Sequence, residues 1–227
     1  MTVNTNESLC EGIDKIIDER SLLRHPFYQA WQQGKLTLEA LRGYACQYYH
    51  HVLAFPTYVS GAHANCEDLA SRQHLLENLI DEERGQENHP ELWLRFAEAL
   101  GLSRDEVISS EPIPETIELI QTYRRLTKDS AFIQGIAALY AYECQVPAVA
   151  ATKIDGLRSF YGIEDRRGLS FFSVHKSLDV QHSQVTRDMV VKCGSAPAAQ
   201  AEAEQAVDEA TSALWGFLDG VYREYVA

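Results

Sequence analysis

The chain has 227 residues, 45% of them hydrophobic and 23% charged, the proportions of a water-soluble globular protein with a substantial core. Against 20 Lys and Arg stand 33 Asp and Glu, a formal net charge of −13, which repels a phosphate backbone unless a local basic patch exists. Arg124-Arg125 and Arg166-Arg167 are isolated pairs, so no nucleic-acid partner is expected. No uncharged apolar run reaches membrane length, the most apolar stretch, 135–154, being interrupted by Glu143 and Gln145. Met1–Ser8 is polar and lacks the form of a secretory signal. Cys10, Cys46, Cys66, Cys144 and Cys193 are odd in number, with no C-x-x-C, and point to reduced thiols in a cytoplasm.

Apolar residues recur at helical spacing almost throughout. Leu9, Ile13, Ile16 and Ile17 place a first helix, and His25-Pro26 reads as a helix entry. Thr37 is predicted to cap a long helix that runs toward Cys66 and is kinked at Pro56. A third helix is expected from Ser71 to Leu100, with Gly85 and Pro90 as weak points. Ser103 is expected to cap a short helix, with a loop over Pro112–Pro114. Helical spacing resumes over Glu115–Thr127 and over Ser130–Phe160, the latter kinked at Pro147. Helices then span Ser170–Lys192 and the segment after Pro197 to Tyr225. With no hairpin signal, repeat or linker, the expectation is an all-α fold of about seven or eight helices forming one domain over residues 1–227.

The strongest chemical signal is FFSVHKSLDVQHS, in which His175, Asp179 and His182 stand at i, i+4 and i+7 and so share one helix face. Two imidazoles and a carboxylate on one stripe suit a first-row metal, and Val174, Leu178 and Val185 flank that stripe with apolar surface. In LIDEERGQENHPELW, Glu82 and His89 are again i and i+7, roughly 10 Å apart along an ideal helix, a span that suits two ions or calls for a distortion at Gly85 or His89-Pro90. In YAYECQVP, Glu143 lies in an apolar face, where a carboxylate is costly unless paired or metal-bound. Taken alone, Asp81-Glu82-Glu83 reads as a solvated face and His89 as a cap or surface residue. Together the three carboxylates and neutral histidines, set against two divalent ions, leave a net positive charge with room for an oxygen-derived anion. The expectation is two metal sites about 3.5–4 Å apart.

Glu82, His89, Glu143, His175, Asp179 and His182 resemble the ligand set of haem-oxygenase-like dimetal oxidases, and differ from the paired E-x-x-H motifs of ferritin-like proteins. HPFYQAW, GYACQYY, AYECQVP, TKIDGL and FFSVH make the chain similar to the CADD-like proteins within that group, a resemblance that covers Leu22–Tyr222. It implies a haem-oxygenase-like bundle, a homodimer, and a self-sacrificing oxygenase that makes p-aminobenzoate for folate biosynthesis. It further implies Tyr28 as the source of the ring, Lys153 as the amine donor and Tyr44 as a second redox tyrosine. The implied cofactors are two divalent metals, Fe/Fe or Fe/Mn, with O2 and a reductant. Read without the resemblance, Tyr28, Tyr44 and Tyr48 are ordinary core aromatics, and Lys153 is a snorkelling side chain.

Other readings stay open at this level. A dimetal oxidase of this fold can act on a free small molecule. A cofactorless oxidase would not need three carboxylates aligned with three histidines, a thiaminase-like hydrolase would use Cys144, and a haem-binding oxygenase would use His25. A protein-interaction module without enzymatic activity is the remaining class, its acidic surface favouring a basic partner.

Overall fold

The computed structural model describes residues 5–227, and the side chains from Leu9 onward apart from Ser177. Met1 to Asn4, part of the polar segment read as lacking a secretory signal, lie outside these residues. The described chain forms α1 (Thr5–Glu19), α2 (Pro26–Gln32), α3 (Leu38–Ala64), α4 (Leu69–Glu83), α5 (His89–Ala99), α6 (Arg104–Ile108), α7 (Pro114–Arg124), α8 (Phe132–Glu143), α9 (Val146–Tyr161), α10 (Ser170–Cys193) and α11 (Pro197–Tyr225), with no strand. The all-α expectation is met. The helix number exceeds the expected seven or eight because two long spans break and α2 is a separate helix. Among the described residues, no helix is long and apolar enough to cross a membrane.

Apolar pattern and packing agree. On α3, Tyr44, Tyr48, His51, Phe55 and Tyr58 are buried at alternating spacings of four and three, a stripe along one helix face. Thr37 caps this helix as predicted, its Oγ1 accepting from Ala40 N at 3.0 Å. α8 is buried on every side from Gly135 to Glu143, as befits a helix that is hydrophobic all round. It packs against α10, α11 and α3. Its last residue, Glu143, therefore ends inside the core.

The span expected as one helix from Ser71 to Leu100 is two. Arg84 leaves α4 with extended dihedrals, and Gly85 has φ +82°, a conformation that favours glycine. Asn88 then caps α5, its side chain accepting from Glu91 N at 3.0 Å, and Pro90 occupies the first turn, where its missing N–H costs nothing. The span expected over Ser130–Phe160 also divides. A single turn of π-helix over Arg125–Asp129 precedes α8. Cys144-Gln145 separates α8 from α9, whose first turn holds Pro147.

α2 is held at both ends. His25 caps it, Nδ1 accepting from Phe27 N at 3.0 Å, so Nε2 carries the proton and donates to Asp219 at 3.0 Å. At Gly156 of α9, a Cβ atom would meet Trp31 Cδ1 at 2.5 Å. The missing side chain lets α2 and α9 approach closely.

Candidate metal centre

The break between α4 and α5 brings one acidic and one basic group together. Glu82 is on the last turn of α4 and His89 opens α5. The two are thus not on one continuous helix face, as the i, i+7 spacing suggested. The turn at Gly85 closes the gap instead, and His89 Nδ1 lies 2.6 Å from Glu82 Oε2. His175 arrives from α10, its Nδ1–H donating to the Phe171 carbonyl at 2.7 Å, which leaves Nε2 as the free ligand nitrogen. Glu82, His89 and His175 are buried, and each offers a ligand atom within 4.8 Å of the other two. The rings of His89 and His175 are 4.3 Å apart, and Phe171 covers His175 at 4.0 Å.

The remaining three residues of the sequence-predicted set border this trio without joining it. Asp179 is 4% exposed and lines a cavity of about 10 Å³ with Glu82, His89 and His175. Its Oδ1 is 3.7 Å from His182 Nδ1, and its Oδ2 is buried with no hydrogen-bond partner among the described residues. His182 is partly exposed and places Nε2 3.2 Å from Asp81 Oδ2. Glu143 is buried, one oxygen accepting from Asn78 Nδ2 at 2.8 Å and the other from Thr186 Oγ1 at 3.0 Å.

Electrostatics mark the cluster as short of positive charge. Burial, reinforced by Asp179, pushes Glu143 up to about 7. Burial likewise raises Asp179 to about 6, with Glu82 adding to the effect. Burial pulls His182 down, but the charges of Asp179, Glu143 and Asp81 outweigh it and hold the ring at about 9. His89 is also raised, because Glu82 overcomes its desolvation. His175 is held well below the usual imidazole range by burial and by His89. Protons thus gather where carboxylates have no Lys or Arg partner, and a buried acceptor atom on Asp179 is left over. Imidazole and carboxylate donors suit Fe, Mn and similar ions. The residues present fit a metal centre.

A second cluster adjoins the first. Tyr28 and Tyr44, fully buried, place their hydroxyls 3.2 Å apart. Lys153 Nζ donates to Tyr44 Oη at 2.6 Å. The ammonium position lies 4.9–5.6 Å from the ring centres of Tyr28, Tyr44, Tyr48, Trp93 and Phe172. Burial lowers Lys153 to about 7. The Pro147 break sets the phase of α9 so that Lys153 points inward, against the snorkelling alternative. A cavity of about 20 Å³ is lined by Tyr28, Tyr48, Tyr142, Lys153, Phe172 and His175. Tyr28 and Lys153 therefore share a wall with a residue of the His175 trio.

Sequence reasoning missed Tyr142 as a site residue and left Tyr48 as ordinary core. Their hydroxyls are 2.5 Å apart, and Tyr142 lines both the 20 Å³ and the 10 Å³ cavities. The available signal was position: Tyr142 precedes Glu143, and Tyr48 lies one turn beyond Tyr44. Two alternatives lose their residues. Both nitrogens of His25 are engaged, so it offers no haem ligand. Burial, with Asp14 nearby, pushes the Cys144 thiol up to about 12, the reverse of an activated nucleophile.

Residues 42–215 match the family model of an iron-containing redox enzyme. The chain belongs to that family of iron-containing redox enzymes. Among relatives of these redox enzymes, the chain is 47% identical to a 4-aminobenzoate synthase of Nitrosomonas europaea, over 96% of this chain and 92% of that one. It is 39% identical to a 4-aminobenzoate synthase of Chlamydia pneumoniae, over 93% of each. A CADD-like protein of unknown function from Nostoc punctiforme has the same fold, with a TM-score of 0.81 at 18% identity, over 98% of this chain and 99% of that one. The all-α bundle and the resemblance read from HPFYQAW and its companion motifs agree with these relatives, and the chain is an enzyme of the redox class.

Proposed function

We propose that the protein makes p-aminobenzoate from its own Tyr28, with Lys153 as the nitrogen donor, using O2, a reductant and two divalent metals, Fe/Fe or Fe/Mn. The metals would be held by Glu82, His89, Glu143, His175, Asp179 and His182. The observation that carries the reading is the cavity of about 20 Å³ lined by Tyr28, Lys153 and His175. That is room for roughly one small molecule the size of water, whereas an apolar cavity that takes up benzene measures about 150 Å³. In this conformation the cavity leaves no room for a free aromatic substrate, which favours the ring that the chain itself supplies.

p-Aminobenzoate needs nitrogen where tyrosine carries its phenolic oxygen. When bound, the metals supply O2 activation and oxidation of a phenol. The protein's part is positional. Burial keeps a large fraction of Lys153 as the neutral, nucleophilic amine near neutral pH. The proton that the amine must shed meets Tyr44 Oη at 2.6 Å, and Tyr44 can pass its own to Tyr28 Oη at 3.2 Å, the oxygen that departs as water. Release of the product also requires cleavage of Lys153 Nζ–Cε and of Tyr28 Cα–Cβ, with O2 as the oxidant that takes Cβ to the carboxylate. The surrounding rings exclude bulk water from the reacting groups.

Protein grown with ring-labelled tyrosine and supplied with metal, reductant and O2, but no aromatic compound, is expected to release labelled p-aminobenzoate. Yield should not exceed one per chain, and the peptide containing Tyr28 should change mass. Formation of product only when a free aromatic is added, with Tyr28 intact, would replace this reading by an oxygenase acting on a small molecule.

Metal binding should also release protons. Glu143 and Asp179 are raised to about 7 and about 6, and His182 to about 9, and all must give up their protons to bind metal. Affinity is therefore expected to rise with pH from about 6 to 9 and then level off. Calorimetry in buffers of different ionisation enthalpy measures the protons released, and a pH-independent affinity would contradict the assignment of these ligands.

A further inference from the structure

We infer that Asn78 and Thr186 are positioning residues for one of the two metals: they form a releasable clasp that holds the buried Glu143 carboxylate until an ion takes it. The inference rests on the dimetal reading above and adds residues outside the ligand set.

Asn78 lies one turn before Glu82 on α4, and Thr186 lies one turn after His182 on α10. Each therefore repeats the helix face of a proposed ligand. From opposite sides they donate to the two oxygens of Glu143, at 2.8 and 3.0 Å. All three side chains are buried. These contacts hold the carboxylate apart from Glu82, His89 and His175, the trio already gathered within 4.8 Å.

The Thr186 half of the clasp can open at little cost. The Thr186 hydroxyl has one hydrogen but three acceptors within reach: Glu143 Oε2 at 3.0 Å, the His182 carbonyl at 3.0 Å and the Ser183 carbonyl at 3.2 Å. When Glu143 turns to an ion, Thr186 falls back on its own helix and its hydroxyl is not stranded. Asn78 keeps a second function in hand, because its Oδ1 is buried with no hydrogen-bond partner. A carboxamide oxygen there can accept from a water on a hard cation.

Asn78 and Thr186 also line a groove. It holds about 200 Å³ between α4 and α10 and is lined by His74, Glu77, Asn78, Asp81, His182 and Thr186. Glu82, His89 and His175 line a different cavity, the one of about 10 Å³. Asn78 and Thr186 should accordingly govern one ion and not the other.

The test uses Mn2+ alone, added to metal-free protein and followed by the resonance of the free ion. Wild type should bind two ions. Thr186→Val, which keeps the shape and removes the hydroxyl, and Asn78→Ala should each weaken one ion by about ten- to a hundredfold. The other ion should stay within about twofold, and Thr186→Ser should restore both. Thermal unfolding of the metal-free variants checks folding. If Asn78→Ala fails to fold, the Thr186 pair decides alone. Two ions with unchanged affinities in Thr186→Val, or both weakened equally, would overturn the inference. Fewer than two ions in wild type would instead overturn the dimetal reading itself, and the two failures are distinct.

Discussion

Replacing Lys153 by methionine is expected to abolish p-aminobenzoate formation and, at pH 7, to make the protein more stable. The amine is fully buried among five aromatic rings, and among the described residues its one hydrogen bond is to Tyr44. Burial brings it from the ordinary 10.5 to about 7 in the folded chain. Between these values the unfolded chain binds more protons than the folded one, so this residue's contribution to stability rises with pH across that window. Near pH 7 the folded state carries nearly the full penalty, on the order of 4 kcal/mol. Methionine keeps the length, packs against aromatic rings and has nothing to protonate. It loses the bond to Tyr44, which costs about 1 kcal/mol. The net expectation is a gain of roughly 3 kcal/mol at pH 7 that shrinks toward pH 10.5. Denaturant unfolding at several pH values measures it. Undiminished product would remove Lys153 from the chemistry, and a large loss of stability at pH 7 would show that the buried amine is not a strained group.

His175→Ala should reduce p-aminobenzoate to background and cut metal affinity by about a hundredfold or more. The histidine is one corner of the only trio of ligand atoms gathered among the described residues, and it also walls the cavity shared with Tyr28 and Lys153. Its Nδ1 is committed to the Phe171 carbonyl, so rotation cannot substitute the other nitrogen without breaking that bond. The accompanying readout is thermal. An ion that binds only the folded wild type at a hundred times its dissociation constant stabilises by about 2.7 kcal/mol. The variant should show little of that rise in melting temperature. A variant that still gains stability from metal would place the ions elsewhere.

Much of the fold is legible in the sequence because its signals are local. Thr37 and Ser103 cap the helices they were expected to cap. H-x3-D-x2-H keeps its phase because α10 runs unbroken from Ser170 to Cys193. The Glu82–His89 contact was legible in identity, and its geometry in part: a distortion at Gly85 or His89-Pro90 was one of two readings, but helical periodicity assumes a continuous helix and could not choose it. The sequence Asn88-His89-Pro90-Glu91 already carries a cap and a first-turn proline, and weighing these above the apolar repeat would have placed the break. Tyr48, Tyr142, Asn78 and Thr186 were not legible as site residues. A buried tyrosine has the same spacing whether it only packs or also carries a hydroxyl contact, and the clasp joins three helices distant in sequence.

Tyr28 is 2% exposed and touches Phe27, Trp31 and Tyr44. If its ring is given up, position 28 keeps backbone but no filling, and a hole opens in the middle of the aromatic core. Emptying an aromatic side chain from such a place costs about 3–5 kcal/mol, a large share of the 5–15 kcal/mol that roughly separates folded from unfolded domains. The chain that has delivered its product would then spend far more time unfolded than the chain that has not, and proteases degrade the unfolded form. Burying the ring that is used up would thus give the molecule an expiry mark: spent copies become distinguishable from fresh ones by their lifetime in the cell.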